Sequence, residues 1–144
     1  MDTNQLTRLE KAQLASRLLG EVGEYDNAIN GAVAEVYAEE VLGMKKAPRG
    51  QKGHDGTLNG RRLSVKGKKA DAYSDSGTYV AIPHKCWDEV DDVLVVFIEE
   101  GTGRITRHVG PIALDDLLPT VRDDHRFYVH RMLEAGADDE KVEF

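Results

Sequence analysis

Apolar positions in the first forty residues recur at helical spacing. Leu6, Leu9, Leu14, Leu18 and Leu19 predict a helix over about 4–19, with Thr7 and Glu10 spaced as a capping box. Gly20 and Gly23 interrupt it. Val33, Val36, Tyr37, Val41 and Leu42 form the stripe of a second helix over about 28–42, and Gly43 stands where a C-cap glycine belongs. The pattern then changes character. Pro48, Gly50 and Gly53 mark 45–53 as a loop, and two short strands follow at about 54–58 and 61–67. Asn59-Gly60 between them is the signature of a type I′ hairpin. A third strand is expected at 78–82. The unbroken apolar run from Val93 to Ile98 reads as a buried central strand, and 105–109 alternates as the next one.

Pro111 is expected to open a helix reaching about Leu118, and a last helix should span about 126–135. Asp88, Glu89, Asp91 and Asp92 read as a solvated turn, and 136–144 as a mobile acidic tail. The order helix, helix, hairpin, three strands, helix, helix predicts an α/β (α+β) fold with a mixed sheet flanked by helices. The chain of 144 residues suits one domain. Its parts would be a helical segment (1–27), a core (28–110), C-terminal helices (111–135) and the tail. No apolar run is long enough to span a membrane, and the polar first residues do not resemble a signal peptide. Cys86 is the only cysteine, which excludes an internal disulfide and a thiolate zinc cluster. A cytoplasmic location is expected.

Charge alters the picture. The net value of −7 argues against a polyanionic partner, yet 45–69 holds nine basic residues and one acid, a net +8. The remainder carries ten basic and twenty-five acidic residues, or −15. Lys45, Lys46, Arg49, Lys52, Arg61, Arg62, Lys68 and Lys69 are therefore candidates for contacting a phosphate backbone. A solvated basic loop is the plainer alternative.

Glu35 on the second helix, Asp55 at the start of the first hairpin strand and Lys66 at the end of the second form a spaced set. The hairpin folds Asp55 back opposite Ser64 and close to Lys66. Carboxylates on a hard divalent cation, with a lysine near the attacked phosphate, are what metal-assisted phosphodiester cleavage requires. Glu21 and Glu24 are fallback helix acids. His54 beside Asp55 could orient a substrate or be a surface histidine. Tyr73, Tyr79 and Trp87 could stack on bases or pack internally, and His125, Arg126, His130 and Arg131 could extend the basic face.

The runs GAVAEVYAEEVLGM and GHDGTLNGRRLSVKGKK resemble the core of the PD-(D/E)XK nuclease superfamily, over about 31–98. The resemblance implies a restriction-endonuclease-like fold with Glu35, Asp55 and Lys66 as catalytic residues. It also implies Mg2+ or Mn2+ as cofactor, and nucleic acid as partner, DNA ahead of RNA. A homodimer would suit cutting two strands. The chain departs from the pattern at Ser64, where the family carries an acid or occasionally Gln. The metal would then depend on Asp55, the Val65 carbonyl, water and Glu35. Two alternatives stand beside an enzyme. One is a non-cleaving nucleic-acid-binding module, or partner subunit of a defence or repair complex. The other is an inhibitory protein-binding domain whose acidic surface mimics DNA.

Overall fold

The computed structural model describes residues 3–23, 27–48, 50, 53–121 and 125–142. After a 3-10 turn at Thr3–Gln5, helix α1 runs Arg8–Glu21. Thr7 caps it: its hydroxyl accepts from the Glu10 N–H while the Thr7 N–H donates to the Glu10 carboxylate, the reciprocal pair read from sequence. Helix α2, Asn27–Tyr37, runs into a π-helical turn at Ala38–Leu42 that ends on left-handed Gly43.

Strands β1 (Lys45–Lys46), β2 (Gly56–Leu58) and β3 (Arg61–Lys69) follow, then β4 (Tyr79–Ala81), β5 (Asp92–Ile98) and β6 (Ile105–Ala113). Helix α3 is the single turn Leu114–Leu117, β7 is Arg126–Tyr128, α4 is Val129–Glu134 and β8 is Asp139–Lys141. The main sheet has the order β1-β2-β3-β5-β6-β8, and β4 and β7 form a separate two-stranded sheet. Within the main sheet β3 and β5 are parallel and the other pairs antiparallel, so the sheet is mixed.

Val93 to Ile98 in β5 are all 0% exposed, and β5 lies between β3 and β6 as the apolar run predicts. Its alternate side chains feed two cores. Leu94, Val96 and Ile98 join Leu63, Val65 and the α2 residues Val33, Ala34 and Tyr37. Val93, Val95 and Phe97 pack on the opposite face with Val80, Phe127, Val129 and Met132 from the smaller sheet and α4. The period-2 pleat divides them in this way.

Several expectations are corrected. Pro111 does not open a helix; β6 continues through it to Ala113, and helix begins only at Leu114. The strand tolerates a residue without an N–H there because the β5–β6 register shifts between Val93 and Val95, opposite that point. The expected helix over 126–135 starts at Val129, since Phe127 and Tyr128 pair with Val80 and Tyr79 in β4. The tail is not loose through its described part, because β8 pairs Asp139, Glu140 and Lys141 with β6. Lys45 and Lys46, read as loop, form an edge strand on β2. Glu24, Arg49, Lys52 and the last two tail residues lie outside the described residues. Among the described residues no helix is long and apolar enough to cross a membrane.

Candidate functional site

The site is assembled where α2 crosses the end of the hairpin. Asn59 and Gly60 both take positive φ, 54° and 77°, and set Leu58 opposite Arg61 and Gly56 opposite Leu63. One residue further back the ladder slips. The Asp55 N–H donates to the Leu63 carbonyl at 2.9 Å, so Asp55 and Gly56 both face Leu63, the geometry of a β-bulge. Asp55 thus does not sit squarely opposite Ser64, as simple register arithmetic expects. Its carboxylate turns into the edge of β3 instead and accepts the Val65 N–H at 2.7 Å. In an extended residue the N–H and C=O point to the same edge, so the Val65 carbonyl faces this side as well.

Glu35 comes to the same place from α2. That helix sits close on β3 because residue 67 is glycine: a Cβ there would lie 2.6 Å from the Asn30 carbonyl oxygen. The half-buried Glu35 carboxyl has its pKa pushed up from 4.5 to about 7. Burial is the largest cause, followed by the charge of Asp55 and a side-chain hydrogen bond with it, and Glu39 adds to the rise. Lys46 on β1 opposes the shift. The first two members of the predicted set are therefore in contact.

Lys66 is the residue next to Val65, but the pleat turns it away from α2. Val65 packs in the α2 core, whereas Lys66 is in register with Val95 of the opposite core. Its recorded charge neighbour is Lys68. On the hairpin side of β3, no strand among the described residues pairs beyond Leu63. Around this unpaired edge, groups from both faces of the sheet can approach one ligand. Ser64, only 4% exposed, shares the Lys66 face and brings a hydroxyl where the resemblance expects an acid.

The predicted backbone-contacting cations divide into groups. Arg61 makes two 2.8 Å bonds to the Asp92 carboxylate, and Arg62 binds Asp91 through its guanidinium and its backbone N–H. Asp91 is accordingly held down to about 2, mainly by the Arg62 hydrogen bonds. Lys69 pairs with Glu100 at 2.9 Å. Asp91 and Asp92 of the acidic turn before β5 are thus the internal counter-charge of the hairpin, while Asp88 stays exposed as expected. Lys45 and Lys46 remain exposed on the outermost strand, and Lys68 lies 5.4 Å from the centre of the Tyr79 ring. Glu21 closes α1 as an exposed residue, and the Nδ1 of His54 is buried without a hydrogen-bond partner.

No protein-family model matches the chain, and no curated protein matches it.

Proposed function

We propose that this protein is of the restriction-endonuclease-like class and cleaves phosphodiester bonds in nucleic acid with the help of a divalent cation, DNA ahead of RNA. The supporting observation is the Glu35–Asp55 carboxyl pair, fastened by Asp55 to the Val65 N–H at the edge that carries Lys66. Two carboxyls in contact near neutral pH share a proton or a cation. The available donors are oxygens only: Asp55, Glu35 and the Val65 carbonyl. That set fits Mg2+ or Mn2+ better than a softer metal. Such an ion would lower the pKa of a bound water and neutralise charge at the phosphate.

The chain's own groups supply the rest. Glu35, in contact with Asp55, is placed either to share the ion with it or to take a proton from an attacking water. Asp55 keeps one oxygen on the Val65 N–H, and a cation held between the two carboxyls would replace the hydrogen bond that Asp55 shares with Glu35. Lys66 holds the phosphate from the opposite side of the strand edge. A cytoplasmic location and a homodimer accompany this reading.

A second reading, binding without cleavage, is favoured by Ser64. Among the described residues no group of three or more His, Cys, Asp or Glu side chains converges to hold a metal. Mn2+ titration and a cleavage panel of single- and double-stranded DNA and RNA separate the two. For the enzyme, Asp55→Asn weakens Mn2+ binding by at least about tenfold, and both Asp55→Asn and Lys66→Ala abolish cutting. Equal cutting by wild type and Asp55→Asn refutes the site. Mn2+ binding with no cutting of any substrate selects the second reading.

A further inference from the structure

The groups assembled on the far face of β3 were only partly anticipated by the sequence, and they form a continuous path. Lys66 and Lys68 project from the same pleat face, two residues or about 6.6 Å apart along the strand. Among the described residues neither is in an ion pair, in contrast to Arg61, Arg62 and Lys69. Two like charges are thus held side by side against a half-buried surface. The Lys68 ammonium is correspondingly pushed below its ordinary range, by burial first and then by Lys66.

Tyr79 of β4 carries the path onward. Lys68 lies 5.4 Å from its ring centre, and the Arg126 guanidinium of β7 lies 4.6 Å from it. Tyr128, the cross-strand partner of Tyr79, has its ring centre 5.8 Å away. Beyond it opens a pocket of about 650 Å³ lined by residues that include Ser76, Thr120, Arg126, Tyr128, His130 and Arg131. That volume is in the range of clefts that admit small ligands. The Nδ1 of His130, one of the lining residues, is buried and has no hydrogen-bond partner. Cations interspersed with aromatic rings, ending in a concave pocket of mixed polar and apolar lining, offer charge for phosphates and ring faces for unstacked bases. A duplex delivers a base into such a pocket only by flipping it out, at the cost of its pairing and stacking, whereas a single strand does not bear the pairing cost.

We infer that the substrate class of the site is single-stranded nucleic acid, threaded from the strand edge over Lys66 and Lys68, across Tyr79 and Arg126, with a base seated beside Tyr128 and His130. The inference rests on the proposed phosphodiesterase reading for its starting point, but binding along the path needs no metal.

The test is fluorescence anisotropy in EDTA with labelled oligothymidylate and oligouridylate of roughly 20 nucleotides, long enough to fill a single-strand site, against a duplex of equal length. Both single strands, or one of them, should bind at least about tenfold tighter than the duplex, since stacking adds to backbone contact. In the Lys66→Gln/Lys68→Gln variant the log–log salt slope should fall by about 1.4, two phosphate contacts at about 0.7 each. Tyr128→Leu should weaken binding about tenfold while Tyr128→Phe retains it. Thermal melts identify any variant that fails to fold, and Tyr128→Phe keeps the comparison meaningful in that event. Equal affinity for duplex and single strand overturns the proposal. So do an unchanged slope and affinity in folded variants. Because EDTA removes the divalent cation from the binding assay, loss of the path with Mn2+ binding intact removes this inference alone. Loss of Mn2+ binding with the path intact removes only the metal reading.

Discussion

Replacing Glu35 by Gln should stabilise the fold at neutral and alkaline pH and leave it unchanged near pH 4.5. The native carboxyl titrates at about 7 against an ordinary 4.5. Below pH 4.5 both folded and unfolded chains carry the proton, and the residue makes no difference. Between 4.5 and 7 the unfolded chain ionises while the folded one resists, so stability falls as pH rises. Above 7 both are ionised and the penalty is constant. At 1.36 kcal/mol per pH unit the ceiling of this penalty is about 3.4 kcal/mol. Glu35 is only half-buried, and water screens its repulsion from Asp55, which reduces the figure to about 1–2 kcal/mol. Glutamine stays neutral throughout and can still hydrogen-bond Asp55. The melting temperature of Glu35→Gln should therefore exceed wild type by about 2–8 °C at pH 8, converge with it near pH 4.5, and track a single titration between. Asp55→Asn removes the main charge partner and should shrink the pH-dependent difference without abolishing it, since burial remains. A Glu35→Gln difference that is the same at pH 4.5 and pH 8 would refute the carboxyl contact.

Arg61→Glu/Arg62→Glu should lower the melting temperature, because each reversal sets like charges against Asp92 and Asp91; melts at low and high salt check it, and the loss should shrink as salt screens the repulsion. An unchanged melt would mean that the hairpin does not depend on these pairs. Gly67→Ala should push the start of α2 away from β3, since its Cβ would meet the Asn30 carbonyl; the expected readout is a lower melting temperature together with a Glu35 titration moved back toward 4.5.

The parts legible in the sequence were those decided within a few residues. The Thr7–Glu10 capping box, Gly43 and the Asn59-Gly60 turn are local geometry, and each forms as spelled. The Val93–Ile98 run announced a strand buried on both faces because no polar side chain interrupts it. Pro111 and Arg126 to Tyr128 misled because their local preferences are overridden by strand partners far along the chain. Spacing brought out Glu35 and Asp55, but not the bulge that turns Asp55 into the strand edge. A charge count marked 45–69 as basic, yet it could not show that Asp91, Asp92 and Glu100 fold back onto Arg62, Arg61 and Lys69. The path through Tyr79, Arg126 and Tyr128 was hidden for a similar reason. Its aromatic and basic members were visible one by one, but only the pairing of β4 with β7 sets them side by side.

The unpaired side of β3 has a further consequence, for self-association. A strand edge that no neighbouring strand covers is a template on which a second copy can add its own strand. From Val65 to Lys69 that edge is flanked by Lys66 and Lys68, and two such pairs repel one another before their backbones can meet. The charges that would draw in a phosphate chain thus also act as gatekeepers that keep molecules of this protein apart. Neutralising them should raise the tendency to aggregate at high concentration, and a bound polyanion would both cancel the repulsion and occupy the edge it protects.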